Sequence, residues 1–110
     1  MGWKTGVMKH KVTELVGEEV FYRGNVVHIA RNVGVDISKM LAYLRSYAIS
    51  PFSLGVNTGR FRLPANILLY PRSKIWDYLT TLEAEGVTNL RESGIESFDD
   101  IVRLKYHAVH

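Results

Sequence analysis

The chain of 110 residues contains no cysteine, so disulfides, thiolate zinc sites and a cysteine nucleophile are all excluded. Its stability must therefore come from packing or from a partner chain. No apolar run approaches the roughly 20 residues that a membrane-spanning helix needs. Residues 1–11 also lack the apolar core of a signal peptide. Together these absences predict a cytoplasmic protein that makes no contact with a membrane.

Common catalytic and nucleotide-binding motifs are absent as well. The chain has no GxGxxG, P-loop, HExxH or GxSxG pattern. The carboxylates of Glu96, Asp99 and Asp100 suit the first turn of a helix better than a metal site. His107 and His110 are three residues apart, but no cysteine or carboxylate motif accompanies them. We therefore expect no enzyme activity, no metal ion and no cofactor.

The charge of the chain is unevenly distributed. The net charge is +3, but residues 1–62 carry nine Lys and Arg against four Asp and Glu, whereas residues 63–110 carry five against seven. A basic surface attracts polyanions and supplies the salt-dependent, sequence-independent part of nucleic-acid affinity. The excess is mild, and a solvated surface without that role can show it too.

Residues 23–50 have the pattern of two short helices joined by a tight turn. The spacing predicts the first helix over 26–33. Ala30 and Gly34 are small where the two backbones approach, and Gly34 can adopt a positive φ at the helix end. Asp36 is a suitable N-cap for the second helix.

The second helix has one apolar stripe, formed by Met40, Leu44 and Tyr47, that we expect to face a core. A third helix is predicted over 11–22, since its apolar residues recur at helical spacing. Those residues are Val12, Leu15, Val16 and Val20. Three such helices would form a small unit with its own core.

These residues resemble, in order and without a gap, the C-terminal helix-turn-helix shared by the Fis nucleoid protein and the NtrC-type bacterial activators. The resemblance is carried by Gly24, Asn25, Ala30, Gly34, Val35, Met40, Leu44, Arg45, Tyr47, Ile49 and Ser50. It covers about a quarter of the chain. It implies that the second helix enters the major groove of DNA with its N-terminal residues nearest the bases.

The outward face of the second helix, which would contact the bases, differs from that of the family. Members usually carry Arg or Lys at several outward positions of the second helix, which here hold Ile37, Leu41, Ala42 and Tyr43. The resemblance therefore implies the scaffold but not the DNA sequence that is recognised. Exposed Ile37 and Leu41 would also suit a protein partner.

After the second helix, Ser50-Pro51 is expected to end the helix. Phe52, Leu54 and Val56 alternate, as do Phe61 and Leu63, and the residues 57–59 between them fit a hairpin loop. Such a β-hairpin would occupy the place of the wing in winged-helix proteins. Arg60 and Arg62 would then share one face and reach phosphates or a minor groove, unless they are simply solvated.

The remaining chain predicts a short strand over 67–70 and a helix over 74–85 that Ser73 caps. The segment after it weakly resembles the second half of a helix-hairpin-helix element, which donates backbone N–H groups to phosphate. The paired glycines of that element are missing, so we favour two short packed helices with a capping pair of Ser97 and Asp100. Their packing residues would be Leu90, Ile95, Phe98, Ile101 and Leu104.

The sequence thus predicts a mainly α, α+β protein, with a tri-helical helix-turn-helix unit over 1–50 and a hairpin and helical extension over 51–110, packed as one compact domain. We expect it to bind double-stranded DNA as a small bacterial or phage transcription regulator or DNA-organising protein, associated with the nucleoid. The expected contacts are Lys39, Tyr43 and Arg45 on the second helix, Ser38 near the bases, and Asn25, Arg31, Arg60 and Arg62 on phosphates.

Two further expectations concern partners. Proteins of this type commonly bind as twofold dimers, and the apolar C-terminal segments would supply the interface of a homodimer. The alternative function is that of a protein-interaction module, for example a phage inhibitor of a host factor, which reuses the helix-turn-helix scaffold.

Overall fold

The computed structural model of the chain describes residues 2–56 and 67–101, with side chains from residue 8 onward. These residues form a mainly helical α+β fold, which confirms the predicted fold class. The elements follow in the order α1 (Gly2–Val16), β1 (Val20–Tyr22), α2 (Arg23–Val33), α3 (Ile37–Arg45), a 3₁₀-helix (Phe52–Leu54), β2 (Leu69–Pro71) and α4 (Arg72–Ala84).

A two-stranded antiparallel sheet connects distant parts of the chain. β1 pairs with β2, with Val20 opposite Pro71 and Tyr22 opposite Leu69. Ile49 adds a single bridge on the other side of Leu69, with N···O distances of 2.8 and 2.9 Å. Since α2 begins directly after β1 and α4 directly after β2, the sheet determines where both helices start.

The sheet separates two apolar clusters, because successive strand side chains point to opposite faces. Val20 and Leu69 belong to the smaller cluster, whereas Phe21 and Tyr70 belong to the larger one. The smaller cluster also contains Met8, Val12 and Val56. The larger one contains Val26, Ile29, Ala30, Val33, Met40, Leu44, Ile75, Leu79, Leu90, Ile95, Phe98 and Ile101.

The prediction of a helix over 11–22 is wrong for its C-terminal half. α1 ends at Val16, and Gly17 follows with φ +86°, which a residue with a Cβ rarely adopts. The β-branched and aromatic residues that come next form β1 and not a further helical turn. Leu15, predicted as a core residue, is 62% exposed.

The third helix of the larger core is therefore α4 and not α1. Ile75 and Leu79 of α4 are fully buried in the same cluster as the core residues of α2 and α3. Met8 and Val12 of α1 pack in the smaller cluster with the sheet. The tri-helical core thus combines two segments that are distant in sequence.

The predicted turn between α2 and α3 is confirmed. Gly34 has φ +81°, and the N–H groups of Gly34 and Val35 donate to the Ala30 carbonyl oxygen at 2.8 and 3.0 Å. The Asp36 side chain accepts a hydrogen bond from the Lys39 N–H at 2.9 Å and so caps α3. Only the start of α2 differs, since it begins at Arg23 directly after β1.

The apolar stripe of α3 is partly confirmed. Met40 and Leu44 are fully buried. Tyr47 lies beyond the end of the helix at Arg45 and is 39% exposed, so its predicted core position is wrong. Ile37 and Leu41, predicted as exposed, are half-buried against the larger cluster.

The predicted hairpin strand at 52–56 is wrong. Phe52–Leu54 is an exposed 3₁₀-helix, and Gly55 ends it with φ +72°. Alternation over so few residues cannot distinguish a strand from a tight turn. The antiparallel pairing lies instead at Ile49 and Leu69, on either side of the connection that the wing was expected to occupy. The loop 57–59, the second strand, Arg60 and Arg62 lie outside the described residues.

The strand predicted over 67–70 is found at Leu69–Pro71, and the helix predicted over 74–85 is α4. Ser73 does not cap α4, since it lies inside the helix, whose N-cap is Pro71. Its N–H and hydroxyl donate to the Glu18 carboxylate at 2.7 and 2.9 Å. A carboxylate from a distant segment therefore satisfies a free N–H of the first turn.

In the last segment, the first of the two predicted short helices is wrong. Residues 90–94 form turns, and Glu83 stabilises them by accepting a hydrogen bond from the Leu90 N–H at 2.8 Å. The predicted pair of Ser97 and Asp100 is confirmed, since the Asp100 carboxylate accepts from the Ser97 N–H at 3.0 Å in front of a helical turn at 98–101.

The four described packing residues of this segment are buried in the chain's own core. They are Leu90, Ile95, Phe98 and Ile101, and Leu104 lies outside the described residues. The expectation that they supply a dimer interface is therefore wrong for these four side chains.

We expect Gly34→Ala to destabilise the fold by about 1–2 kcal/mol, because alanine is strained at a left-handed backbone position. Gly24→Ala is the matched control, since Gly24 lies in α2 at ordinary φ and an added Cβ meets no atom within 4 Å at either position. It should be neutral or slightly stabilising. Urea unfolding measures both effects, and equal free energies of unfolding for the two variants would contradict the prediction.

Candidate nucleic-acid interface

The predicted DNA contacts lie on α2 and α3 as far as the structure describes them. Asn25 is half-buried in the first turn of α2, and Arg31 is exposed in its last turn. On α3, the exposed residues among those predicted are Ser38, Lys39, Tyr43 and Arg45.

The solvent-facing side of α3 is opposite its buried stripe. Lys39 and Ala42 are exposed on this side, and Ser38 and Arg45 are exposed on its flank. At 3.6 residues per turn, Lys39 and Arg45 lie about 120° apart around the helix and about 9 Å apart along it. The two cations are thus both directed to solvent but do not form a single row.

The cations of α2 and α3 have no carboxylate partner among the described residues. Arg23, Arg31, Lys39 and Arg45 are all exposed and form no ion pair there. The ion pairs of the described residues are Arg72–Glu19, Arg72–Asp99 and Lys74–Asp77, and His10 Nε2 also lies 2.8 Å from a Glu14 carboxylate oxygen. A cation without an internal partner is available to an external anion without first breaking an ion pair.

The sequence around these cations contains almost no negative charge. Between Glu19 and Asp77, Asp36 is the only acidic residue. Its carboxylate is committed to the N-cap of α3. This stretch without acidic residues is a signal that sequence reasoning missed. It also contains two exposed residues of α2 that were not among the predicted contacts, Arg23 and His28.

Tyr43 differs from the other predicted contacts because it lies on the flank of α3 that faces α4. Its ring centroid is 5.4 Å from that of Tyr47 and 5.0 Å from that of Tyr78. Tyr43 and Tyr47 are 36% and 39% exposed, respectively. The ring is therefore held between two others and does not project freely from the helix.

Acidic groups lie near this flank. Burial raises the pKa of the Tyr43 phenol above its usual 10.0, and Tyr47 and Asp77 add to the effect. Burial likewise raises the pKa of Tyr78, with contributions from Asp36 and Glu85. Loss of contact with water is thus the main cause of both shifts, and the nearby carboxylates contribute less.

The turn around Gly94 offers no free N–H groups to a phosphate. The N–H groups of Gly94 and Ile95 donate to the carbonyl oxygens of Arg91 and Leu90, both at 2.9 Å. Those of Glu96 and Ser97 donate to the Asp100 carboxylate. This occupancy favours the packing role of the segment over the helix-hairpin-helix alternative.

In the described ranges, no group of three or more His, Asp or Glu residues is placed to hold a metal ion. No helix in these ranges is long and apolar enough to span a bilayer. Comparisons of the chain with known protein families, with curated proteins and with solved structures find no match. The arrangement of α2 and α3 must therefore be interpreted from its own chemistry.

We expect the Tyr43 phenol to titrate above pH 10.0. Asp77→Asn should lower the pKa only in part, because burial is its larger cause. The pKa of Tyr43 is higher in the folded than in the unfolded state, so protonation of this phenol favours folding. This contribution to the free energy of unfolding is complete below about pH 10 and is lost as the pH rises further. A ¹³C NMR titration of the tyrosine Cζ resonances measures the pKa.

Glu92→Gln removes an exposed carboxylate elsewhere and is the matched control. A normal titration of Tyr43 in the parent protein, or equal shifts in the two variants, would contradict this explanation.

Proposed function

We propose that this protein binds double-stranded DNA through α2 and α3, as a small transcription regulator or DNA-organising protein of bacterial or phage type. The main support is that the four exposed cations of these helices have no carboxylate partner among the described residues. Phosphates release condensed counterions when such cations bind them, which favours association. The resemblance of 23–50 to Fis-type modules points to the same function.

In the proposed complex, α3 enters the major groove with its N-terminal turn nearest the base edges. Ser38 and Lys39 are exposed in that turn, and Lys39 can donate to the O6 and N7 acceptors of guanine. Ala42, exposed one turn further, is small and apolar and can contact a thymine methyl group. These residues would determine which bases are recognised.

The remaining cations would position the protein on the duplex. Arg23 begins α2, Arg31 lies in its last turn, and both are exposed. Contacts of this kind to phosphate determine orientation and register but do not read sequence. Asn25, half-buried in the first turn of α2, would add an uncharged phosphate contact, and Arg45 would bind near the end of α3.

A homodimer stays part of this proposal because one small module has limited affinity for DNA. Its interface requires a surface other than the buried C-terminal side chains. The alternative of a protein-interaction module on the outer face of α3 depended on exposed Ile37 and Leu41. Both are half-buried within this chain, so they offer less surface to a partner than expected.

The proposal predicts salt-dependent binding to random-sequence duplex DNA, measured by fluorescence anisotropy at two salt concentrations. Lys39→Ala/Arg45→Ala should weaken binding by roughly tenfold or more at low salt. It should also reduce the slope of log K against log salt by about 2, because on random-sequence DNA both cations neutralise phosphates, and each lost cation removes about one released counterion.

Lys11→Ala/Arg91→Ala is the matched control, since it removes the same charge from exposed residues outside α2 and α3. It should change binding much less. Equal losses in the two double variants would show attraction by net charge alone, and absence of binding at low salt would refute the proposal.

A further inference from the structure

Asp36 carries the wrong charge for a surface that would meet phosphates. It is the only acidic residue between Glu19 and Asp77, a stretch that contains both helices of the proposed interface. Its side chain is exposed at the start of α3, close in sequence to the exposed Ser38 and Lys39. A carboxylate at this position repels the DNA backbone, so it lowers the affinity for DNA unless it makes a favourable contact of its own.

The N-cap of α3 does not require this charge. Asp36 caps the helix through Oδ1, which accepts a hydrogen bond from the Lys39 N–H at 2.9 Å. Asn and Ser cap helices about as well as Asp, because each supplies one oxygen acceptor. The helix dipole favours a carboxylate at the N-terminus, but the effect is small at an exposed position. The cap therefore accounts for one oxygen of Asp36 and leaves its charge largely unexplained.

The second oxygen of this carboxylate is available to an external donor. Within the described residues, Oδ2 accepts no hydrogen bond and Asp36 forms no ion pair. Burial raises the pKa of Tyr78 and the charge of Asp36 adds to the effect, yet no hydrogen bond joins these two side chains. The bond to the Lys39 N–H already orients the carboxylate, which reduces the entropy cost of a further contact.

A hydrogen-bond acceptor and a donor thus lie at the start of α3. In the major groove, cytosine presents the N4 amino group as a donor, and guanine presents the O6 and N7 acceptors. Asp36 Oδ2 can accept from cytosine N4, and the Lys39 ammonium group can donate to guanine. Adenine also presents an amino group, but its adjacent N7 acceptor is unfavourable for a carboxylate. The two side chains are therefore complementary to G·C base pairs.

We propose that Asp36 determines which base is recognised at one position of the DNA site, by accepting a hydrogen bond from cytosine N4 through Oδ2. This inference rests on the proposed DNA binding and adds a residue that the predicted contacts do not include. A base without a donor at that position leaves the carboxylate desolvated and unpaired, which weakens binding to the wrong sequence. Asp36 therefore acts against incorrect sites as well as in favour of the correct one.

The test compares the parent protein with Asp36→Asn, which keeps the size of the side chain and an oxygen for the cap but replaces the free acceptor with a donor. Duplexes that bind are selected from a random pool and sequenced. The parent should select a cytosine that Asp36→Asn no longer selects. In fluorescence anisotropy on the selected site, replacing that C·G pair should weaken binding of the parent by roughly tenfold and binding of Asp36→Asn much less.

Asp77→Asn is the matched control, since it makes the same change at an exposed carboxylate outside α3 and should select the same site as the parent. Asp36→Ser supplies a second uncharged cap and should also lose the cytosine preference. Selection of the same sequences by the parent and both Asp36 variants would overturn the inference while DNA binding stands, as would binding by the parent without any base preference. Absence of bound duplexes for the parent would refute DNA binding and this inference together.

Discussion

The pairing of β1 with β2 is the constraint on which the rest of the structure depends. It joins segments about 50 residues apart, so the chain must lose considerable conformational freedom to form it. Burial on both faces compensates, with Val20 and Leu69 in one cluster and Phe21 and Tyr70 in the other. The three-residue strands could not provide this stability alone. Because α2 and α4 begin at the residues that follow the strands, the pairing also positions the two helices that hold α3.

The same strand pairing also determines which carboxylates lie next to Arg72. Arg72, the first residue of α4, lies 3.6 Å from Glu19 and 3.2 Å from Asp99, and its guanidinium group stacks 4.8 Å from the Phe98 ring centroid. Arg72 thus pairs with carboxylates from two distant segments at the end of α4 that follows β2. The cations of α2 and α3 are left without such partners among the described residues. The contrast arises from the sequence gap in acidic residues and from the fold, in which Glu19, four residues before Arg23, pairs with Arg72.

Local signals in the sequence were sufficient for the α2–α3 unit and insufficient elsewhere. Gly34 and Asp36 act on neighbouring backbone groups, so their roles as turn and cap could be predicted from the residues around them. The helical spacing up to Val20 was misleading, because pairing with a strand that lies far along the chain decides its state. Ser73 failed as a cap for the same reason, since Glu18 occupies its hydrogen-bonding groups. For the candidate site, sequence identified the exposed residues of α3 but not which of its flanks faces α4.

The two helices that hold α3 differ in charge, and this asymmetry bears on how the module would meet DNA. Charges interact appreciably over a Debye length of about 8 Å at physiological salt, which is comparable to the radius of a helix with its side chains. α2 carries Arg23 and Arg31 and no carboxylate, so it would attract a phosphate strand, whereas the exposed Asp77 of α4 would repel one. In the proposed complex, this favours a tilted docking in which α2 lies close to the backbone and α4 stays away from it.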